Sequence, residues 1–288
     1  MRNLIDQIFF SPVRSEIMIA ARELIQSKKK VLISANPTLN GALSIAALEA
    51  AFLDGKLPYR RRFTFEEPDS EPFVRISDGD DQGDLSKLIG GYCIHSITVE
   101  GLKGKSGDSR NGPLTSVSQA HTLAKEISPK SPRLREMRPW ILAGNWIKGA
   151  LDTTYDSVFT SLRDFLSSEG SIRVVPVTEV PTPAIENYPW LDEEKLHLAI
   201  QSWNSRNLSE REVLMQELAF PALKEKSPST SKIEELLWHC ILGSNWESDL
   251  ASQIYHASLL WENYSPKEAS SIVSDALLAD GHLDSLKP

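Results

Sequence analysis

The chain has 288 residues, of which 41% are hydrophobic, so it can bury the core of one large domain or of two smaller ones. Its formal net charge of −8 and its pI near 5.4 exclude a general attraction to nucleic-acid phosphates or anionic lipids, although an acidic protein can still carry a local basic patch. We therefore expect a protein partner ahead of a DNA partner.

Cysteine usage and targeting signals place the chain among ordinary intracellular proteins. Cys93 and Cys240 lie far apart and have neither CxxC nor Cys/His spacing, which predicts buried free thiols in a reducing compartment rather than a zinc site or a disulfide framework. The N-terminal residues mix charges into their apolar positions and lack the continuous apolar region of a signal peptide. No stretch approaches the roughly twenty apolar residues that cross a bilayer. We expect a soluble cytoplasmic protein with no membrane contact.

Predicted strands and helices alternate in the first third of the chain. Apolar residues at helical spacing predict a helix over 12–27, and short apolar stretches then predict a strand at 31–34 and a helix at 43–53 with Gly55 at its C-cap. β-branched and aromatic residues predict strands in the three stretches YRRRF, FVRIS and GGYCIHSITVEG. This order predicts an α/β fold with a parallel sheet.

Turn residues and prolines organise the rest of the chain. Residues 101–113 are rich in Gly, Lys, Ser and Asp, which predicts an exposed loop. Helical spacing predicts helices at 115–127, 140–150 and 158–166. Four prolines between 176 and 189 then indicate a boundary, so we divide the chain into an α/β domain, 1–180, and a helical C-terminal region, 181–288.

The C-terminal region is predicted to contain only helices. The periodic segments are 191–203, 209–223, 233–242, 250–261 and 266–278. Two of the helix starts are marked: Ser209 and Glu212 have capping-box spacing, and Ser265 precedes a proline at the first helical position.

Three common catalytic signatures are missing. The segment KGKSG, 103–107, lacks the glycine that a phosphate-binding P-loop places six residues before its lysine, because Val99 stands six residues before Lys105. The dinucleotide-binding pattern GxGxxG and the nucleophile elbow GxSxG do not occur.

Acidic and histidine side chains offer a second kind of candidate site. Carboxylates crowd after a predicted strand, where they could bind a hard metal ion. These residues are Asp78, Asp80, Asp81 and Asp84. A solvated acidic turn is the simpler interpretation, because no second carboxylate cluster or histidine partner comes from another strand end. His95 lies on an apolar strand, where a core histidine is the simpler interpretation and a metal ligand the alternative, and His121 on a helix has still less claim to a role.

A small basic cluster lies within the predicted strand YRRRF. Arg60, Arg61 and Arg62 lie between Tyr59 and Phe63, a composition that suits single-stranded nucleic acid or an acidic peptide. A charged edge strand that prevents aggregation explains the same residues, and we keep both interpretations. Most of the seven tryptophans are expected in the core, with one or two available to anchor a partner.

The segment after the first strand resembles the DHH phosphoesterase superfamily of RecJ-like nucleases and small phosphodiesterases. The first motif of that family reads approximately N-P-D-G-D-A-I-G-S, and residues 36–44 read N-P-T-L-N-G-A-L-S without a gap. Thr38 and Asn40 therefore occupy the positions of two metal-binding aspartates. The likeness extends over roughly residues 15 to 180 and implies a parallel-sheet domain with helices on both faces.

The later family motifs are only partly retained. Asp78 corresponds to the second-motif aspartate, and His95 is what remains of the Asp-His-His motif that names the family. In the fourth motif, Gly144 is kept but Lys148 stands in the metal-ligand position. The glycine-rich motif of the usual C-terminal substrate domain is not recognisable after residue 190.

These replacements imply a non-catalytic member of the superfamily. Neutral Thr38 and Asn40 with a cationic Lys148 cannot balance a pair of Mg²⁺ or Mn²⁺ ions. The superfamily includes a non-hydrolytic branch that associates with GINS and MCM in DNA replication, and the chain resembles its short archaeal members. We expect a replisome scaffold with a GINS-like or MCM-like partner and no cofactor.

Two alternatives remain open. One is a metal-dependent phosphodiesterase or single-strand exonuclease that uses Asp78, Asp80, Asp81 and His95 in an altered geometry with Mn²⁺ or Mg²⁺. The other is binding of single-stranded nucleic acid without cleavage through Arg60, Arg61 and Arg62.

Overall fold

A mixed sheet forms the centre of the first half of the chain. In the computed structural model its strands lie in the order β2-β1-β3-β5-β4, where β1, β2, β3 and β5 run parallel and β4 is antiparallel to β5. The strands are Val31–Ala35 (β1), Tyr59–Phe63 (β2), Phe73–Ile76 (β3), Lys87–Leu88 (β4) and Gly91–Ile94 (β5). The predicted α/β class with a parallel sheet is confirmed. The structure describes residues 3–27, 29–69, 71–77, 87–88, 90–103, 109–152, 154–184, 186, 188, 190–224 and 228–286.

Three helices build the layer next to this sheet. They are Arg14–Gln26 (α1), Leu39–Asp54 (α2) and Ser116–Ile127 (α3), and α3 packs against both others. Almost every residue of α2 is buried, as expected for an alanine- and leucine-rich helix that is apolar on all sides. Helix α2 begins four residues before the predicted start at 43, because Thr38 caps it. The predicted helices at 12–27 and 115–127 are confirmed.

The connection from β2 to β3 crosses the sheet, and its described residues, 64–69 and 71–72, contain no helix. Strand β1 lies between β2 and β3, so the connection must pass over one face of the sheet to start β3 parallel to β2. Tyr59 on β2 contacts Phe52 of α2, whereas Arg60 and Arg62 point to the opposite face and donate to Asp69. The crossover therefore lies on the face opposite α2.

A β-hairpin occupies part of the predicted loop at 101–113, so that prediction was wrong at both of its ends. Strand β6 (Ile97–Lys103) pairs antiparallel with β7 (Ser109–Leu114), and both pack against α6 (Ser157–Ser168). A Cβ at Gly101 would lie 2.4 Å from Ser157 Oγ, and one at Gly112 would lie 2.3 Å from Asp156 Oδ1. These glycines allow the strands to pack closely on α6, whereas the sequence pattern predicted an exposed loop.

The segment between α3 and α6 consists of short turns of helix. It contains α4 (Pro132–Glu136), a 3₁₀ turn over Arg138–Leu142, α5 (Ala143–Ile147) and a 3₁₀ turn over Ala150–Asp152. The predicted continuous helix at 140–150 was wrong, because Pro139 lies in a 3₁₀ turn that begins at Arg138, and Gly149 leaves the helical region at φ 66°. The predicted strand GGYCIHSITVEG is likewise divided, into β5 and β6.

The C-terminal region is largely helical and contributes one strand. Its helices are Glu193–Trp203 (α7), Leu208–Lys224 (α8), Thr230–Leu237 (α9), Leu250–Ser258 (α10), Leu260–Asn263 (α11) and Pro266–Asp280 (α12). The predicted helix at 233–242 was wrong at its end, since Cys240–Leu242 form strand β9, which pairs antiparallel with β8 (Arg173–Val175).

The two marked helix starts had different outcomes. The capping box expected at Ser209 lies two residues earlier, where Asn207 Oδ1 accepts from Glu210 N at 3.0 Å and Glu210 Oε2 accepts from Asn207 N at 2.9 Å. The start at Ser265 and Pro266 is confirmed, with Glu268 completing a capping box.

Contacts join the two predicted regions of the chain. Besides the β8–β9 pair, Ser274 Oγ on α12 donates to the carbonyl oxygen of Ala42 on α2 at 3.0 Å, and Trp140 Nε1 donates to the carbonyl oxygen of Gly281 at 3.0 Å. The division at residue 180 stays a prediction. Within the described ranges, every helix is too short or too polar to traverse a lipid bilayer.

Candidate functional site

The carboxyl ends of three parallel strands meet at one edge of the sheet. Ala35, Ile76 and Ile94 are aligned across β1, β3 and β5, so the residues that follow them emerge side by side. Parallel α/β sheets carry their binding sites at this edge. Asn36 and His95, the first residues after β1 and β5, therefore lie at the same edge of the sheet, as the family resemblance implied.

The loop after β1, residues 36–38, which we call the first-motif loop, turns tightly into α2. Thr38 caps the helix, and its Oγ1 accepts a hydrogen bond from Gly41 N at 3.1 Å. A Cβ at Gly41 would lie 2.1 Å from the carbonyl oxygen of Asn36, so only glycine fits this turn. Asn40 lies in the first turn of α2, where its Oδ1 is buried and has no hydrogen-bond partner among the residues that the structure describes. The two positions of the family's aspartates are thus held rigidly by neutral side chains.

A buried arginine reaches this loop from β3. Arg75 is only 5% exposed, and its Nη2 donates to Asn36 Oδ1 at 2.6 Å while its Nη1 donates to the carbonyl oxygen of Thr64 at 2.7 Å. One guanidinium group therefore fixes the β1 loop and the start of the β2–β3 crossover together. It also places a permanent positive charge beside the first-motif loop.

The remaining motif positions are differently placed. His95 is 4% exposed, and its main-chain carbonyl oxygen accepts from Gln119 Nε2 at 2.6 Å, which ties the end of β5 to α3. Lys148 follows α5 as its C-cap, and its side chain is exposed. Gly144 packs closely on Thr115 at the start of α3, where a Cβ would lie 2.3 Å from the Thr115 hydroxyl oxygen.

Asp78, Asp80, Asp81 and Asp84 lie outside the described residues. Their proposed role in metal binding stays a prediction.

A cavity of about 540 Å³ opens beside the first-motif loop. Pro37, Thr38 and Leu39 form one wall, and residues of α5, α9, α10 and α11 form the others. Trp261 Nε1 on α11 donates to the carbonyl oxygen of Pro37 at 3.0 Å. The C-terminal region therefore packs directly on the loop, and the cavity contains the first-motif residue Thr38 together with Ile147, the neighbour of Lys148.

A lysine and aromatic rings give this cavity its chemical character. Lys232 Nζ lies 4.0 Å from the centre of the Trp146 ring and 3.1 Å from Asp152 Oδ1, so its charge is satisfied from both sides. Trp261 and Tyr255 supply further aromatic surface, with Ile147 and Ile254 beside them. The walls suit a flat or apolar group better than a hydrated metal ion.

The described motif positions do not fit a pair of divalent cations. Such sites need several anionic oxygen ligands, whereas Thr38 and Asn40 are neutral and Arg75 lies against Asn36. Nor do three His, Cys, Asp or Glu side chains come together anywhere in the described ranges in a way that could hold a metal ion. The arrangement of these residues offers hydrogen bonding and packing, but no charge to retain Mg²⁺ or Mn²⁺.

The basic cluster on β2 is matched by carboxylates. Arg60 and Arg62 both pair with Asp69, at 3.2 and 2.9 Å, and Arg61 bridges Glu49 at 3.0 Å and Asp275 at 2.7 Å. Burial raises the pKa of Glu49 even though Arg61 opposes that shift, and burial beside Glu49 raises the pKa of Tyr59 to about 12. The three arginines of the edge strand β2 thus face three carboxylates from other parts of the chain. The role of these arginines in binding nucleic acid or a partner stays a prediction.

Sequence reasoning missed the residues that organise this site. Arg75 was overlooked because it lies inside a short β-prone stretch, although a charged residue at a central strand position is itself a signal of a buried polar contact. Trp261 and Lys232 could not be placed near residue 38, since nothing in the local pattern shows which distant helix covers a loop.

Comparisons with known proteins leave the family open. No protein-family model and no curated protein matches the chain. Among solved structures, the chain is similar to the crystal structure of CDC45 from Entamoeba histolytica, with 13% sequence identity and a TM-score of 0.48 over 95% of this chain and 68% of that chain. A likeness at this TM-score carries no argument about activity.

Proposed function

We propose that the protein is a non-catalytic scaffold of a DNA replication or repair assembly, in which it binds a GINS-like or MCM-like protein. One observation carries the proposal: the segment 36–44 keeps the register of a DHH first motif, while Thr38 and Asn40 replace its two aspartates. We also propose that the protein is an archaeal-type member of the non-hydrolytic branch and is located in the cytoplasm.

The surroundings of the first-motif loop support this proposal. Catalysis by two metal ions needs an open site of anionic ligands at the end of β1. Here the loop after β1 carries no carboxylate. Arg75 donates a hydrogen bond to Asn36, and Trp261 donates one to the carbonyl oxygen of Pro37. Both contacts stabilise a folded loop, and neither assists hydrolysis.

Scaffolding is also compatible with the composition of the chain. The net charge of −8 disfavours tight binding to DNA alone and favours a role through protein contacts. Loss of the catalytic carboxylates relieves their mutual repulsion, so a fold kept for binding gains stability from such replacements.

Purification from the native cell tests the proposal. The full chain, tagged at either end, is isolated from extract treated with nuclease, so that DNA does not bridge proteins. The bound proteins are identified by mass spectrometry, and the candidate GINS-like or MCM-like protein is then mixed with the purified chain in size-exclusion chromatography. We expect the two to elute together. Recovery only of the free chain, with no co-elution at micromolar concentration, would contradict the proposal.

A further inference from the structure

A second cavity, of about 870 Å³, lies on a different part of the molecule. Its walls come from α3, from α4 and the turn before it, and from the residues that follow α6. The side chains that matter are His121, Lys125, Lys130, Arg135, Arg138 and Glu169. None of its lining residues also lines the cavity beside the first-motif loop. Its volume lies in the range of sites that bind small molecules.

The lining of this cavity carries an excess of positive charge. Four cationic side chains, Lys125, Lys130, Arg135 and Arg138, face the two carboxylates of Glu136 and Glu169, which leaves a net charge of +2. Lys130 and Arg135 are exposed, and neither forms an ion pair within the part of the chain that the structure describes.

One ion pair fixes the inner wall. Arg138 donates to both oxygens of Glu169, from Nε at 2.7 Å and from Nη2 at 3.2 Å, and Ser171 Oγ also donates to Glu169 at 2.7 Å. Burial and the nearby charge of Arg138 both lower the pKa of Lys125. An electropositive surface of this kind is stabilised by a bound anion.

A buried histidine forms part of the same wall. His121 is 3% exposed, and its Nε2 has no hydrogen-bond partner in the described residues. Burial lowers the pKa of His121 to about 3, so the ring is neutral and presents one donor and one acceptor nitrogen. A buried polar atom without a partner is costly in a stable fold, and a ligand group is one way to satisfy it.

We propose that this cavity binds a small organic phosphate monoester, whose dianion is held by Lys125, Lys130 and Arg135 while its organic part lies against His121 and the prolines of the α3–α4 turn. The charge of such a phosphate, about −2 at neutral pH, matches the net charge of the lining. Lysine and arginine are the side chains that bind phosphate oxygens most strongly. This inference concerns a different site from the proposed scaffold function and does not rest on it.

Calorimetry on the full chain tests the proposal, with AMP and ribose 5-phosphate as probes and adenosine and ribose as uncharged controls. Both phosphates are expected to bind and both controls to fail. The double variant K130E/R135E removes two of the three cations that hold the phosphate and should weaken binding by about tenfold or more, since the loss of even one charge-assisted hydrogen bond has an effect of that size. The matched variant K195E/K267E, which changes the net charge equally on exposed helices elsewhere, should bind like the wild type. Equal weakening in both variants would overturn the proposal.

If a variant fails to fold, NMR spectroscopy of the wild-type protein still tests the proposal. In the wild-type protein labelled with ¹⁵N at histidine, addition of AMP should shift the imidazole resonances of His121 and leave those of the exposed His197 unchanged. Unchanged His121 resonances at saturating AMP would contradict the proposal. Binding of a 5′-phosphorylated oligonucleotide without binding of either small phosphate would contradict it as well, since the site would then serve nucleic acid.

Discussion

The indole Nε1 of Trp261 donates a hydrogen bond to the carbonyl oxygen of Pro37 at 3.0 Å. This bond joins the C-terminal region to the loop in which the family resemblance places its first catalytic motif. The same loop is held from below by Arg75 through Asn36. The loop is therefore part of the packed structure on both sides.

Replacing Trp261 with phenylalanine should destabilise the protein by about 1 kcal/mol, the usual net contribution of one hydrogen bond. Phenylalanine keeps one aromatic ring but loses part of the indole surface, so the bond to Pro37 is reported by the difference between W261F and a control variant. Urea unfolding followed by circular dichroism measures the effect. The control is W238F, because Trp238 is also half-buried and its side chain forms no hydrogen bond within the described ranges. Equal losses in the two variants would mean that the bond contributes nothing.

Replacing Arg75 with methionine should cost roughly 2–5 kcal/mol, because the buried acceptors on Asn36 and Thr64 each lose a charged donor. R75K should recover only part of this loss, since one ammonium group cannot reproduce the two-pronged guanidinium contact. The exposed Arg173 provides the control, and R173M should lie within about 0.5 kcal/mol of the wild type. A small loss of folding stability in R75M would show that the crossover is held by other contacts.

The contributions of two helix-capping carboxylates to folding stability should change with pH in opposite directions. Burial raises the pKa of Asp249, which caps α10, so its stabilising contribution is complete below about pH 3.8 and is lost as pH rises through the folded pKa. Hydrogen bonds from Ser265 lower the pKa of Glu268 at the start of α12, so its contribution is present above about pH 4.5 and is lost as pH falls.

The variants D249N and E268Q test these signs. At about pH 7, D249N should be more stable than the wild type, because asparagine caps a helix without a buried charge, and E268Q should be less stable. Both differences should shrink towards about pH 4 in urea unfolding experiments. Destabilisation by D249N that is independent of pH would show that Asp249 is needed for its geometry and that its charge costs little.

The arginines of β2 should bind single-stranded DNA only weakly while Asp69 is intact. Asp69 pairs with Arg60 and Arg62, so D69N should release two cations and strengthen binding at low salt, with a steeper dependence on salt concentration. Fluorescence anisotropy with a labelled oligonucleotide measures both quantities. The control is D164N, which removes an exposed carboxylate paired with Arg163 away from β2. Tight binding by the wild type that is lost in R60E/R62E would instead favour the nucleic-acid alternative.

The fold could be predicted from the sequence where one local pattern decided the structure. The apolar stretch of α2 and the Ser265–Pro266 start of α12 are examples, since neither depends on a distant partner. Gly101 and Gly112 indicated a loop, but their role is close packing on α6, which only the folded structure reveals. Cys240–Leu242 followed a helical pattern and became a strand because β8 offers it a pairing edge.

The site was predictable in its loop and not in its surroundings. The register of 36–44 located Thr38 and Asn40 at the carboxyl edge of the sheet, and local chemistry explains the cap at Thr38. The partners of that loop, Arg75 and Trp261, come from other elements, and their contacts arise only when the chain has folded. Likewise, the acidic residues that neutralise Arg61 lie on α2 and α12 and are far from it in sequence.

The proposed loss of the phosphoesterase site is tested by an assay for metal-dependent hydrolysis. The purified full chain is incubated with end-labelled single-stranded DNA and Mn²⁺, and the products are separated on a sequencing gel. We expect no cleavage above that in a reaction without metal. Cleavage that requires Mn²⁺, disappears in D78A and persists in D280A, which alters an exposed carboxylate at the end of α12, would contradict it.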